Sequence, residues 1–265
     1  MKFEKTDVWG FEHALRGMRN PKNSWSRNDT VVYDKTDSDY SDGYIGGYKL
    51  NEDEETYVLI GDNDLQLAQT LIAGGSEHRK FLRQIFVSVD ITAPLFWWKE
   101  FDTYKVGTVA NSTSTMHKLA TTPITIDCFE TDDYDGSIFV SAVNSPLAPL
   151  SYEINNYIEF LERLRKSHLH YADAAKREGI TDAERKHFQS VAKKYWKELI
   201  RWLPESWLQK RTVTLNYENI YTIIRQRCNH KLNEWSGKDN PDLPNFISWA
   251  KTLPYAHELL FVGLN

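Results

Sequence analysis

The segment from Leu203 to Arg227 limits the possible folds of this chain more than any other. Leu203-Pro204 ends one helix, because proline interrupts the hydrogen-bond ladder of a helix interior. Thr214-Leu215-Asn216 closes a short extended link, and asparagine is a favoured cap for the helix that we expect to run through Trp235. Apolar residues then recur at the spacing of one helical face: Ile220, Ile223, Ile224, Cys228 and Leu232.

Arg227 lies three and four residues after Ile224 and Ile223, so its side chain leans toward this apolar face. Removing a guanidinium from water costs a great deal of free energy unless an anion or carbonyl oxygens meet it. Two interpretations satisfy this requirement. Arg227 forms a buried ion pair with a carboxylate, or it contacts a ligand in a cleft.

The spacing of Pro204, Thr214, Asn216 and Arg227 resembles the C-terminal signature of the flavin-dependent thymidylate synthases. In that family a helix ends in Leu-Pro, a Thr-x-Asn link follows, and an arginine stands eleven residues after the asparagine, as it does here. The resemblance implies that Arg227 contacts the pyrimidine ring of dUMP and helps to activate its C5 position. It also implies an α+β fold in which a small mixed sheet packs with long helices.

The resemblance extends toward the N-terminus. Gly75-Ser76-Glu77-His78 stands where the family has a Gly-His turn before a strand, and Ala93-Pro94 stands where the next helix begins. The family's most specific motif, RHRxxSxNExSxR, is eroded in this chain, since Thr103-Tyr104-Lys105 occupies the RHR position. Thr108 replaces the first serine of that motif.

Residue-by-residue correspondence gives the candidate site. The resemblance implies that Arg227 is the catalytic residue and that Glu100, Arg201 and Ser114 bind substrate with it. It assigns the cofactor to His78, Lys105, Thr108, Asn111 and Asn216, where Asn111 and Ser114 match the motif only with one inserted residue. Asn216 has a competing role as the helix cap.

Arg201 lies one position after the place of a family arginine that binds the dUMP phosphate, and Ile200 occupies that place here. One residue corresponds to a rotation of about 100° on a helix, so the side chain of Arg201 can point elsewhere. Four other arginines are alternative phosphate ligands: Arg225, Arg211, Arg16 and Arg19.

The implied function is that of a divergent flavin-dependent thymidylate synthase-like enzyme. It methylates or otherwise modifies C5 of dUMP, uses FAD and a folate, and forms a homotetramer whose sites lie at subunit junctions. An aromatic content of 13%, with nine tryptophans, supplies residues that interfaces favour. Two alternatives stay open: a pyrimidine-nucleotide-binding protein that has lost flavin chemistry, and an interaction protein in which Arg227 only pairs with a carboxylate.

Charge and composition argue against several other classes. A formal net charge of −5 without a long basic run disfavours a nucleic-acid partner. The two cysteines, Cys128 and Cys228, lie far apart, which favours a reducing compartment, and we expect a cytoplasmic protein. The sequence has neither an apolar signal segment at its start nor a stretch that would span a membrane. His168 and His170 do not share a helical face, so no metal site is predicted.

We expect one domain over residues 1–265, with a mixed α/β part at 1–150 and a helical part at 151–265. The candidate strands are Val31–Tyr33, Tyr44–Leu50, Glu55–Ile60, Phe81–Ile91, Pro123–Phe129 and Ser137–Val143. The candidate helices include one capped by Asp62 or Asn63, one that starts at Pro94, one that Thr181 and Glu184 begin with a capping box, and one over Leu243–Leu253.

Overall fold

The computed structural model describes residues 1–34, 47–51, 55–114, 119–142 and 145–264. The chain divides into two compact units, each assembled from segments that are distant in sequence. The first unit combines Met1–Thr92, Lys99–Asn111 and Lys210–Asn265, and the second combines Ala93–Trp98 and Ser112–Gln209. Helices and small sheets make up both units, which confirms the α+β fold class.

A four-stranded sheet has the order β1-β5-β9-β6. Its strands are β1 (Lys2–Trp9), β5 (Phe86–Pro94), β6 (Val109–Ser112) and β9 (Leu208–Asn216). Strands β1 and β5 are antiparallel, and alternate residues of β5, Val87, Val89 and Ile91, are fully buried. That alternation fixes one face of β5 toward the core. Strand β9 is the extended link of the sequence analysis, here paired inside a sheet.

A second sheet has the order β2-β4-β3, with β2 at Val31–Asp34, β3 at Tyr48–Lys49 and β4 at Thr56–Leu59. It confirms the candidate strands Val31–Tyr33 and Glu55–Ile60 to within a residue or two at each end. The candidate strand Tyr44–Leu50 is reduced to two residues in the part that is described, and its positions 44–46 lie outside the described residues.

Helices α1 (Phe11–Gly17) and α2 (Asp62–Ala73) belong to the first unit. The predicted cap of α2 was wrong, because Gly61 occupies the cap position and makes no side-chain cap bond. The carboxylate of Asp29 caps the helix instead. It accepts hydrogen bonds from the backbone N–H groups of Asn63 and Asp64 at 2.9 and 3.0 Å. A cap supplied from a distant loop leaves no local pattern in the sequence of the helix.

The first half of the predicted strand Phe81–Ile91 was also wrong. Arg79–Gln84 is a 3-10 helix, and β5 begins only at Phe86. Phe81, Leu82 and Ile85 are all buried. Adjacent buried residues suit a helical turn, whereas a strand would send Phe81 and Leu82 to opposite faces.

Helix α3 (Leu95–Phe101) begins immediately after Pro94, close to the predicted start. It ends earlier than the apolar pattern suggested, because the chain turns through hydrogen bonds from Thr103 N to Glu100 O and from Tyr104 N to Phe101 O. These turns place Glu100 in the last turn of α3 and Tyr104 just beyond it.

The second unit is built around two long helices, α4 (Leu150–Ala174) and α5 (Asp182–Arg201), which pack against each other. The predicted capping box of α5 is confirmed: Glu184 N donates to Thr181 Oγ1 at 3.2 Å, and Thr181 N donates to Glu184 Oε2 at 2.8 Å. A buried cluster packs here, formed by Leu119, Ile124, Phe129, Leu161 and Leu199.

One strand prediction in this unit was wrong. Within Pro123–Phe129, residues Ile126–Cys128 form a 3-10 helix, and Ile124 N donates to the Glu162 carboxylate rather than to a neighbouring strand. A hairpin of β7 (Phe139–Ala142) and β8 (Ser145–Pro149) corresponds to the candidate strand Ser137–Val143, whose last residue lies outside the described residues.

The C-terminal region contains α6 (Tyr217–Arg227), α7 (Asn233–Ser236) and α8 (Phe246–Lys251). The single helix predicted through Trp235 was wrong, because the chain leaves helical geometry after Arg227 and is extended at Leu232. The predicted helix over Leu243–Leu253 is present in a shorter form, as α8. The break after Arg227 places this side chain at a helix end.

Candidate functional site

Arg227 is held at the end of α6 by two hydrogen bonds. Its Nη1 donates to Oε2 of Glu100 at 2.8 Å, and its Nε donates to the hydroxyl of Tyr104 at 2.9 Å. Its Cζ also lies 4.9 Å from the centre of the Trp235 ring, a distance at which a cation is attracted to an aromatic face. Nη2 has no hydrogen-bond partner among the residues that the structure describes.

The structure shows one of the two contacts that the sequence allowed for Arg227. An ion pair with a carboxylate is present, and Glu100 is the partner. The side chain of Arg227 nevertheless keeps 17% of its surface exposed, and that of Glu100 keeps 33%. The pair is therefore mostly buried but not sealed from solvent, and the guanidinium has a fixed orientation while part of it stays accessible.

The hydroxyl of Tyr104 extends this arrangement. It accepts from Arg227 Nε and donates to Oε1 of Gln226 at 2.9 Å. A hydroxyl that both accepts and donates has its own orientation fixed, and it fixes the plane of the guanidinium in turn. The sequence analysis treated Tyr104 only as a position where the family motif is eroded. Its place within the RHR motif was the one sign that it could belong to the site.

His230 contacts the same carboxylate oxygen, with Nε2 at 3.4 Å from Oε2 of Glu100. Leu232 N donates to Nδ1 of His230 at 3.2 Å, so the neutral ring carries its hydrogen on Nε2, toward Glu100. Sequence reasoning missed both His230 and Trp235. Their positions depend on the turn after Arg227, and the prediction of one continuous helix through Trp235 did not include that turn.

Glu100, Tyr104, Arg227, His230 and Trp235 together form the Arg227 cluster. Two of the predicted cofactor residues lie close to it. Lys105 and Thr108 line a cavity of about 270 Å³ together with Phe101 and Tyr104. Lys105 is exposed, and the buried Oγ1 of Thr108 has no hydrogen-bond partner in the described parts of the chain. An exposed ammonium and a buried hydroxyl without a described partner are groups that an anionic ligand could engage.

Asn216 adopts the competing role that the sequence allowed. Its side chain accepts from Asn219 N at 3.0 Å, and the Asn219 side chain accepts in turn from Asn216 N, which together form a capping box for α6. Asn219 Nδ2 also donates to Val106 O at 2.7 Å. The cap therefore attaches the loop that carries Lys105 and Thr108 to the start of α6, and Asn216 supports that loop through it.

The remaining predicted residues are more scattered. Asn111 is exposed on β6. His78 is exposed and lines a different cavity, of about 650 Å³, with Met18, Leu71 and Phe81. Ser114 and Arg201 belong to the second unit, where Arg201 pairs with Glu198 within α5.

Three of the alternative phosphate ligands are committed to protein partners. Arg19 pairs with the buried Asp64 at 2.6 Å, and Arg211 pairs with Asp102 at 2.7 Å. Arg225 donates to the carbonyl oxygens of Leu260 and Val262, and burial lowers the pKa of its guanidinium. Arg16 is exposed. Arg225 therefore anchors the C-terminal segment to α6.

In the described ranges, no three His, Cys, Asp or Glu side chains are grouped to hold a metal ion. No helix among the described residues has the length and apolar character needed to cross a membrane.

Comparison with known proteins identifies the fold of the chain. No family model and no curated protein matches the sequence. The structure, however, is similar to thymidylate synthase X from Helicobacter pylori with FAD and dUMP: 14% identity, TM-score 0.53, 99% of this chain and 97% of that chain. A second structure of the Helicobacter pylori enzyme complexed with FAD and dUMP gives 15% identity, a TM-score of 0.52, and coverage of 99% and 98%. The chain has the fold of the flavin-dependent thymidylate synthases.

Proposed function

We propose that this chain binds a pyrimidine nucleotide beside Arg227 and, with FAD and a folate, methylates or otherwise modifies C5 of dUMP. The observation that carries the proposal is the free edge of the Arg227 guanidinium. Protein groups use Nε and Nη1, whereas Nη2 has no hydrogen-bond partner in the described parts of the chain. The Helicobacter pylori enzyme that shares the fold was crystallised with FAD and dUMP, which supports this choice of ligands.

Arg227 acts in this proposal by electrostatics and orientation. Nη2 donates to a carbonyl oxygen of the pyrimidine ring, and the positive charge stabilises electron density that moves onto that oxygen when C5 reacts. Glu100 and Tyr104 keep the guanidinium plane fixed, so little reorganisation is needed when the nucleotide arrives. Trp235 covers one side of the guanidinium and strengthens its interactions by excluding water.

Of the residues predicted to bind FAD, Lys105 and Thr108 have groups suited to an anionic cofactor, whereas the side chain of Asn216 is used to cap a helix. The unsatisfied Oγ1 of Thr108 and the ammonium of Lys105 would hold a phosphate or a polar ring edge of FAD. Asn216 is occupied as a cap, so its contribution is to fix the loop beside them. Bound FAD would supply hydride chemistry and the folate would supply the one-carbon unit. His78 and Asn111 remain proposed cofactor contacts.

We further propose that Ser114 and Arg201 bind substrate, as the family resemblance implies, and that the protein is a homotetramer whose sites lie at subunit junctions. Light scattering tests the assembly. A tetramer is expected, and a monomer at micromolar concentration would contradict a site shared between subunits.

A panel of ligands tests the function. Purified protein that is yellow, is stabilised thermally by dUMP and gains further stability with a folate would support the enzyme, because a ligand that binds the native state raises its unfolding temperature. Adenosine monophosphate serves as the matched control nucleotide. Absence of any response to FAD and dUMP would overturn the proposal.

The second candidate function is nucleotide binding without flavin chemistry. The observation that favours it is Tyr104, which stands in the RHR part of the family motif. Its hydroxyl accepts a hydrogen bond from Arg227 and so orients that side chain. Colourless protein that dUMP stabilises and FAD does not would select this function. An interaction protein remains the third, and it requires that neither ligand binds.

A further inference from the structure

A cavity of about 620 Å³ opens between α4 and α5, near the loop that joins them. It is independent of the Arg227 cluster and plays no part in the function proposed above. The polar and aromatic side chains that line it are His168, Lys176, Arg185, Gln189, Lys193 and Trp196. Among the described residues no carboxylate lines this cavity, although the chain as a whole carries a net charge of −5.

Two of these side chains are held in place by the protein. Nη1 of Arg185 donates to Ala175 O at 2.5 Å, and Nδ1 of His168 lies 3.0 Å from Ala192 O. A carbonyl oxygen can only accept, so Nδ1 of His168 carries a hydrogen. Both side chains are therefore oriented before a ligand arrives, which lowers the entropy lost on binding.

The two lysines differ in how the protein uses them. Lys176 pairs with Asp173 at 3.0 Å, but both side chains are more than two-thirds exposed, so this pair stabilises little. Lys193 has neither a hydrogen bond nor an ion pair within the described ranges. Its charge is available to an incoming anion.

We propose that this cavity binds a small phosphate-bearing ligand. Three permanent cations around one cavity repel one another, and an anion between them would relieve that repulsion. The planar guanidinium of Arg185 suits two phosphate oxygens, and the ammonium of Lys193 adds a point charge. Trp196 supplies a flat aromatic surface to any ring that the ligand carries.

Isothermal titration calorimetry with inorganic pyrophosphate, at constant ionic strength, tests the proposal on the full-length chain. The Lys193→Gln variant removes one cation that has no partner in the described parts of the chain, so the fold should be unaffected. Lys194→Gln is the matched control, because Lys194 is an exposed neighbour on the same helix that does not line the cavity. We expect Lys193→Gln to weaken pyrophosphate binding about tenfold and Lys194→Gln to change it less than about twofold.

A second variant separates this site from the Arg227 cluster. Arg185→Gln should weaken pyrophosphate binding at least as much as Lys193→Gln, while Arg227→Gln should leave binding at this cavity unchanged. Circular dichroism checks that each variant is folded. Absence of pyrophosphate binding by the wild type, or equal losses in the Lys193 and Lys194 variants, would overturn the proposal.

Discussion

Asp64→Asn should be among the most damaging conservative substitutions in the first unit. Asp64 is fully buried in the first turn of α2. Its carboxylate accepts five hydrogen bonds: from Arg19 Nε at 2.6 Å, Asn28 Nδ2 at 2.7 Å, Asp29 N at 3.1 Å, Thr30 N at 3.0 Å and Thr30 Oγ1 at 2.6 Å. It therefore joins α2 to two segments that precede it in the chain.

The expected loss follows from these contacts. The asparagine amide has one acceptor oxygen, so in either orientation its NH2 group faces donors that the carboxylate had satisfied. Arg19, which is 4% exposed, also loses its counter-charge, and its Nη2 already has no hydrogen-bond partner among the residues that the structure describes. Breaking a buried ion pair from one side costs about 3–5 kcal/mol, so we expect a loss of about 4 kcal/mol in the free energy of unfolding. This is a large part of the total for a typical domain, about 5–15 kcal/mol.

Urea denaturation followed by circular dichroism measures this loss. Asp62→Asn is the matched control, because Asp62 is an exposed acid in the same helical turn. Its loss should stay under about 1 kcal/mol, the size of a helix-dipole interaction. An Asp64→Asn protein within about 1 kcal/mol of the wild type would refute the reasoning about the buried charge.

Three further predictions concern stability. Glu162→Ala should lower the free energy of unfolding by about 3 kcal/mol, because it removes the partner of the buried Arg165, whose Nε and Nη2 both donate to Glu162 at 2.7 Å. Urea denaturation measures this loss, and an unchanged midpoint would contradict the prediction. Burial raises the pKa of Asp29, but hydrogen bonds from α2 outweigh it and the net pKa is lowered. The stability that Asp29 contributes is therefore full above its ordinary pKa and lost as the pH falls through the lowered folded value, and an Asp29→Asn variant should lack this part of the acid transition. Asn216→Ala should cost about 1 kcal/mol through the lost cap, measured by thermal unfolding, with Asn219→Ala causing a similar loss.

Local features of this fold were predictable from the sequence. The capping box of Thr181 and Glu184 and the cap at Asn216 were both predicted, because each depends on residues a few positions apart. The contribution of Asn219 to the cap at Asn216 was not predicted. The helix end near Pro204 was predicted for the same reason, since proline marks it locally. The α+β class came from the family resemblance.

Features that depend on distant partners were not predictable in the same way. The apolar face of α6 required a partner for Arg227, but nothing local identified Glu100, which is 127 residues away. Strand β9 looked like a link because its pairing partner β5 lies far back in the chain. The cap that Asp29 supplies to α2 was missed for the same reason. The family resemblance named Glu100 as a substrate-binding residue and not as the ion-pair partner of Arg227.

The orientation of Arg227 by Tyr104 needed the structure. The motif alignment shows only that the family's charged residue is missing at that position. The hydrogen bonds of Tyr104 show what replaces it, because the same hydroxyl accepts from Arg227 and donates to Gln226.

Calorimetric titration of dUMP into the wild type and the Arg227→Gln variant tests the central claim most directly, with Arg163→Gln, an exposed arginine on α4, as control. The wild type and the Arg163 variant should bind dUMP with equal affinity, whereas Arg227→Gln should bind about 10- to 100-fold more weakly, the effect of losing a charged hydrogen bond. The partly buried ion pair predicts that the same variant stays folded and loses about 1–3 kcal/mol of stability. A wild type that does not bind dUMP, together with an Arg227→Gln variant that unfolds, would contradict the account and leave Arg227 as a structural ion pair.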